Sequence, residues 1–361
     1  MTEFRVLDGY VISEAEYRAR RGDLMRFLSA RAAGKAPSAF ALSNARELAA
    51  DAPASVTPST FTPIGKGLPL TIMIRDVYTG KHPSGTFFGD GADVALVSGV
   101  KNYDVFNAST RALNFLVENQ ARHSHMRRPA AFSDGSALVA YSPAIMTDSL
   151  TISFELAVAT FPQALVSSLS KAFNTLAGIP ILLPYAGYLL GAGQLFKLAG
   201  NAGHALFDGV KFSVTNAIDF DIPGSIPAIA DFRVLATFDA TQYRYKDGEG
   251  LQDRSGSAYD GDEPYIVVSL DGKQRDNLKA FLPTVASAAV LQRFFQVQDG
   301  AQVAIDSVVQ GLQLTSDFKY REQAISLKAK LAAAPAADKP DIQKQLDAAL
   351  KNISTDALKP A

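Results

Sequence analysis

The chain has 361 residues, 47% of them hydrophobic and 20% charged, with a formal net charge of −1. That length suits one large domain with appendages or two smaller ones, and the near-zero charge gives no global pull toward nucleic acid. Cysteine is absent, which excludes disulfides, thiolate metal sites and cysteine nucleophiles.

The opening MTEFRVLDGYVISEAEYRARRGDL has no apolar core of the kind a cleavable signal needs, so a cytoplasmic protein is expected. Ser13-Glu-Ala-Glu16 fits a capping box, and the residues after it are helical in composition. Arg18, Arg20, Arg21, Arg26 and Arg31 make this helix basic, while Leu24, Met25, Phe27 and Leu28 can bury one face. Residues 1–35 are therefore expected to hold a basic amphipathic helix, docked on its own domain or laid on a membrane or an acidic partner. Residues 36–65 shift to Ala, Pro, Ser and Thr and read as a linker.

From Leu70 the apolar period becomes two. Leu70, Ile72 and Ile74 alternate with Thr71, Met73 and Arg75, and a second strand is expected near 93–98. Residues 108–121 predict a helix, with Leu113, Leu116 and Val117 on its buried side. Short and long strands follow at 136–141 and 147–159. In the longer one Leu150, Ile152, Phe154, Leu156 and Val158 share a face opposite Thr151, Ser153 and Glu155.

Residues 172–196 carry no charge and are long enough on paper to span a bilayer. Pro180 and Pro184 break the stretch, and Gln194, Lys197, Asn201 and His204 form one polar stripe at helical spacing. The pattern predicts two helices, about 163–178 and 185–207, in an insertion spanning 162–208. Either the hairpin packs on a soluble core, which the prolines favour, or it leaves the core and enters a membrane.

Strand alternation resumes with Phe212, Val214, Ile218, Phe220 and Ile222, and repeats at Phe232, Val234, Ala236 and Phe238. Residues 265–270 form a more fully apolar strand. Residues 66–275 then make one antiparallel β-sandwich interrupted by the helical hairpin, an α+β arrangement with flanking N- and C-terminal helices. Within 276–361, one helix runs through Ile305, Leu312, Tyr320, Leu327 and Leu331, and another starts at Ile342. The pair needs a further apolar surface, either the sandwich or another chain, so it is a candidate for oligomerisation.

No catalytic or cofactor-binding motif is present. Gly191-Ala-Gly193 lacks the preceding strand and third glycine of a dinucleotide loop, and Ser168-Leu-Ser-Lys171 has no companion motif. The four histidines are His82, His123, His125 and His204. His123 and His125 lie among Arg122, Arg127 and Arg128, which oppose a metal and form a candidate anion or phosphate-lipid patch. Asp219-Phe-Asp221 puts two carboxylates on one strand face, and Asp260-Gly-Asp262-Glu263 closes a polar loop. Calcium, which takes six to eight oxygens, is the one cofactor such residues could hold, through Asp219, Asp221, Asp260 and Asp262.

A sandwich opened by Leu-Thr-Ile-Met-Ile-Arg-Asp-Val, with Asp219-Phe-Asp221 near a strand end, resembles the C2 domain over residues 66–275. The resemblance implies calcium held by Asp219 and Asp221 against phospholipid headgroups. The helical insertion departs from that family, and only these two aspartates match a motif position. The leading expectation is a non-enzymatic C2-like module that engages a partner protein or a membrane surface. The alternatives are a membrane-inserting effector using hairpin 163–207, and a hydrolase whose site is assembled from scattered residues.

Overall fold

Alternating apolar and polar residues can hide one face of a strand and wet the other, and two antiparallel sheets are built on that pattern here. The computed structural model describes residues 2–7, 9–32, 40–41, 47–48, 62, 64–83, 92–102, 110–127, 135–159, 181–182, 210–220, 231–275 and 305–360. The chain opens with strands β1 (Thr2–Leu7) and β2 (Tyr10–Ser13), then helix α1 (Glu14–Ala32). Two short strands, β3 (Phe40–Ala41) and β4 (Glu47–Leu48), pair with each other. The body follows with β5 (Leu70–Tyr78), β6 (Ala92–Asn102), β7 (Thr110–Gln120), β8 (His125–Arg127), β9 (Leu138–Ser142) and β10 (Ser149–Ala159). It continues through β11 (Ile181–Leu182), β12 (Val210–Asp219), β13 (Asp231–Ala236), β14 (Arg244–Lys246), β15 (Gly250–Gln252) and β16 (Tyr265–Asp271). Helices α2 (Ile305–Ala333) and α3 (Lys339–Lys351) come last.

The larger sheet has nine strands in the order β15-β14-β2-β1-β13-β16-β5-β8, with β9 also pairing on β5. The smaller has five, in the order β11-β7-β6-β10-β12. The two sheets share a core. Ile72, Ile74, Ile266, Val268 and Leu270 of the larger meet Val94, Leu96, Ile152, Phe154, Val214 and Ile218 of the smaller. Each such side chain, fully buried, contributes roughly 1.5–3 kcal/mol of transfer free energy. Together the antiparallel sheets have a curled, half-barrel outline. The other face of the larger sheet closes a second core of Phe4, Val6, Val11, Phe232, Val234, Tyr245, Leu251 and Val267. Strand β16 borders both cores and is buried along its whole length, as the apolar run Tyr265–Val268 predicts.

The predicted helix opening at Ser13 is present, and Ser13 Oγ accepts a hydrogen bond from Glu16 N at 3.2 Å. The residues before it are strands: β1 lies between β2 and β13, in a register running from Thr2↔Ala236 to Val6↔Phe232. Residues 108–121, expected to be helical, instead contain strand β7, paired along β6. Leu113, Leu116 and Val117 satisfy a helical spacing, but two register shifts in the β6–β7 ladder break the simple alternation that would have marked a strand. Tertiary pairing overrides the local pattern. Asn114, fully buried, gives its side-chain amide to Ser136 O and Leu138 O and ties β7 to the start of β9.

The predicted hairpin lies outside the described residues apart from Ile181 and Leu182, which pair with Leu113 and Ala112 of β7. Among the described residues no helix is long and apolar enough to cross a membrane. Helices α2 and α3 pack through Ala324, Leu327, Leu346 and Ala349, with Met146 of the body against them. Asn352, at the C-terminus of α3, donates to Ala144 O at 2.8 Å. The surface that receives the C-terminal pair is thus the sheet body.

Candidate functional site

The densest polar cluster forms where β5, β8 and β16 run side by side. Register pairs Asp76 with Arg127 and Tyr78 with His125 on one flank, and Tyr78 with Tyr265 on the other. Because side chains alternate across a strand, Val77 and Met126 enter the core between the sheets, and Asp76, Tyr78, His125, Arg127 and Tyr265 share the opposite face. Asp76 is 1% exposed. Its carboxylate lies 2.9 and 3.0 Å from His125 Nδ1. It also accepts the Tyr265 hydroxyl at 3.1 Å and faces Arg127 Nε at 3.4 Å. The Tyr265 oxygen in turn accepts Leu251 N–H at 3.0 Å, so β15 is fastened over this face. Arg127 Nη2 donates to Glu249 O at 2.7 Å.

Beside it runs a second chain of contacts. Tyr78 OH lies 3.0 Å from His123 Nδ1, and His123 Nε2 lies 3.6 Å from Asp262 Oδ1. The rings of Tyr78 and Tyr265 stack with centroids 5.3 Å apart, and Tyr259 meets Tyr78 edge-on at 5.2 Å. Burial, then the Asp260 and Asp262 charges, push the Tyr78 phenol up to about 12. Burial also pushes up the phenols of Tyr265, Tyr245 and Tyr259. The turn after β5 is stitched to both neighbouring loops: Lys81 N donates to Asp262 O, and His123 N to Gly80 O. His82 sits in that turn, and burial, then Lys81 and Lys211, lower its pKa from 6.5.

A carboxylate on Nδ1 fixes a histidine's tautomer and leaves Nε2 to accept a proton, which is the geometry of a general base. Here Asp76 is buried, while the His125 side chain is 20% exposed. Gly250 holds φ at +90°, and a Cβ on it would lie 2.6 Å from Tyr265 Oη, 2.8 Å from Asp76 Oδ2 and 2.9 Å from His125 Cε1. The hydroxyl beside the pair, that of Tyr265, is engaged by Asp76 and Leu251. The cluster clamps β15 onto the sheet.

Of the residues singled out in the sequence, Arg127 turns onto Asp76, whereas Arg122 is exposed in the turn between β7 and β8. Asp262 is 71% exposed at its side chain, and Asp260 is exposed in the same loop. Asp219 belongs to a different neighbourhood, the end of β12, where Arg18 Nη2 donates to it at 2.9 Å. Asp221, Arg128 and His204 lie outside the described residues. Among the described residues no group of three or more histidines and carboxylates is placed to hold a metal ion. The sequence reading missed Asp76, Tyr78 and Tyr265. The available signal was a carboxylate inside the strand that opens the sandwich, between Ile74 and Val77 of its apolar set.

A second network joins α1 to the sheets. Arg233, 1% exposed, lies 3.0 Å from Glu3 and 3.6 Å from Glu14. Arg5 donates to Glu14 at 3.1 Å and rests over the Tyr17 ring at 3.8 Å. Arg18 bridges Glu14 and Asp219, each at 2.9 Å. Arg20 pairs with Glu16, and Arg26 with Asp23. The basic face of α1 is thus largely neutralised within the chain.

The end of this network leads to β12, a strand of 10 residues at the margin of the smaller sheet. Phe212, Val214, Asn216 and Ile218 point inward, and Lys211, Ser213, Thr215 and Ala217 are exposed. Among the described residues β12 pairs with β10 alone, in a ladder that is regular from Asp219 back to Phe212 and slips at Lys211. Phe220 N donates to Asp148 O at 2.8 Å. Antiparallel pairs alternate between bonded and non-bonded, so counting back by twos assigns the even residues to β10. Ser213, Thr215, Ala217 and Asp219 therefore turn their N–H and C=O groups to the margin away from β10, where no described strand pairs with them. No protein-family model matches the chain, and no curated protein is detectably similar to it.

Proposed function

We propose that the chain is a non-enzymatic interaction module, a C2-like sandwich that holds a partner protein by adding an extended segment of it to β12. The open margin of β12 carries the reading. Unpaired backbone groups on a sheet edge are a template for another strand, and natural edges are commonly blunted by proline, charge or a bulge. Strand β12 has no proline, its bulge and its lysine sit at one end, and its outward side chains between the two ends are small and neutral. The Asp76 carboxylate supports the non-enzymatic side of the reading, because it is buried and engaged by His125, Tyr265 and Arg127.

The test places a photo-crosslinking residue at Thr215 of the full chain in its native host, with Ser326 on α2 as an exposed control position. The expected outcome is a crosslinked peptide from one protein, identified by mass spectrometry, that is lost when Ala217→Pro blocks the neighbouring edge donor. Thr215 crosslinks no richer than those of the control would sink the reading.

A further inference from the structure

We infer that the strand taken up by β12 is β12 of a second copy of this chain, in a two-fold antiparallel pairing centred on Thr215. The inference rests on the reading of β12 as a docking edge and adds its occupant and register. Three observations carry it. The edge-facing residues of the regular ladder are all odd-numbered, so an antiparallel mate must pair odd with odd. Centring the two-fold on Thr215 meets that condition, setting Thr215 against its own counterpart and Ser213 against Ala217 of the second copy. The same register brings Lys211 beside Asp219 of the second copy, twice by symmetry. Opposite charges therefore meet at both ends of a neutral middle. Moving the register by two residues in one direction sets Lys211 against Ala217 and loses both charge pairs; moving it in the other sets Lys211 against Asp221 but leaves Asp219 against Ser213, without a cation.

Lys211 is exposed, and the Asp219 side chain is 35% exposed beside Arg18. The bulge at Lys211 lies outside the regular ladder of Phe212 to Asp219, and the long lysine side chain spans the offset it introduces. A two-fold contact of this kind is self-complementary and closes, so it yields a dimer and not a fibre. The five-stranded sheets of the two copies would join as one continuous sheet.

The test uses the absence of cysteine from the chain. In a bonded antiparallel pair the Cα atoms lie about 5.5 Å apart, within the reach of a disulfide. The full-length Thr215→Cys protein is expected to form a covalent dimer under mild oxidation. Ser213→Cys should not, because its counterpart lies four residues along the strand, about 13 Å away. Sedimentation of the unmodified chain should show a dimer, and Lys211→Glu should weaken it about 5- to 30-fold, two pairs of like charge replacing two of opposite charge. Adding Asp219→Lys to that variant should restore it.

A monomer at every concentration, or equal crosslinking of the Thr215→Cys and Ser213→Cys proteins, overturns the inference. If the chain is monomeric but the Thr215 photo-crosslink captures an extended peptide of a different protein, the docking edge stands and only its occupant is wrong. If it is monomeric and captures nothing, both fall.

Discussion

Gly250 and Gly248 both hold a left-handed backbone, with φ of +90° and +84°, yet they face different surroundings. A Cβ at Gly248 meets nothing within 4 Å, whereas one at Gly250 enters the Asp76–His125–Tyr265 cluster. Alanine at either position carries backbone strain of roughly 1–3 kcal/mol. Gly250→Ala should lose more than Gly248→Ala in urea denaturation, by the displacement of buried hydrogen bonds; equal losses would show that the cluster does not clamp β15. Two titrating residues give pH signatures. Glu14 is held below 4.5, since the hydrogen bond and charge of Arg5, with Arg233 and Arg18, together outweigh the upward push of burial. Its contribution to stability is complete above pH 4.5 and is lost as the pH falls through its lowered folded value. Glu14→Gln should therefore cost stability at pH 7, with the gap closing in acid. Glu3 runs the other way, because burial raises it despite Arg233, so its ionised form costs stability at pH 7. His82 is lowered by burial and its lysine neighbours, so it favours the fold above pH 6.5 and opposes it as the pH falls below. His82→Gln should flatten the decline in stability between pH 7 and 5. None of these pairings was legible in the sequence. Asp76 and His125 are 49 positions apart, and nothing in Arg75 or Val77 points to the histidine.

At the scale of elements the strands β5, β10 and β12 were readable from clean alternation, which in β12 follows from one exposed and one buried face and in β5 from Leu70, Ile72 and Ile74 entering the core between the sheets. Helices α2 and α3 were readable because leucines and alanines recur at helical steps, and Pro340 in the first turn of α3 suits a helix start. Strand β7 was not, since its register shifts disguise the period of two. Strands β1 and β2 are short and were passed over, although Phe4 and Val6 alternate with Glu3 and Arg5. The join between the C-terminal helices depends on a residue no pattern marks. Asp317, fully buried on α2, accepts Ser354 N at 2.8 Å and Thr355 N at 2.9 Å. Asp317→Ala leaves two backbone donors without their acceptor, at a cost of about 1–3 kcal/mol. Amide hydrogen exchange should quicken at Ser354 and Thr355 while β16 stays protected. Equal loosening of both would mean that the helix pair and the sheets unfold as one unit.

For the molecule as a whole, one core lies between the two sheets and another on the opposite face of the larger, and β16 borders both. Composition and alternation pointed to layered antiparallel sheets. They could not reveal the second core, because a strand buried on both faces reads the same whichever neighbours enclose it. The placement of β1 has a consequence for biosynthesis. Its partner β13 is translated more than two hundred residues later, with Thr2 meeting Ala236. Until that point has left the ribosome, the first strand has only β2 beside it, and Arg5 and Glu3 lack the Arg233 that completes their network. Such distant closure makes folding slow and leaves a nascent strand open to wrong partners. Translation arrested before residue 231 should leave the opening residues open to protease, and arrest well beyond residue 271, once β16 has emerged, should protect them. Early protection would mean that β1 finds shelter elsewhere while the rest of the chain is being made.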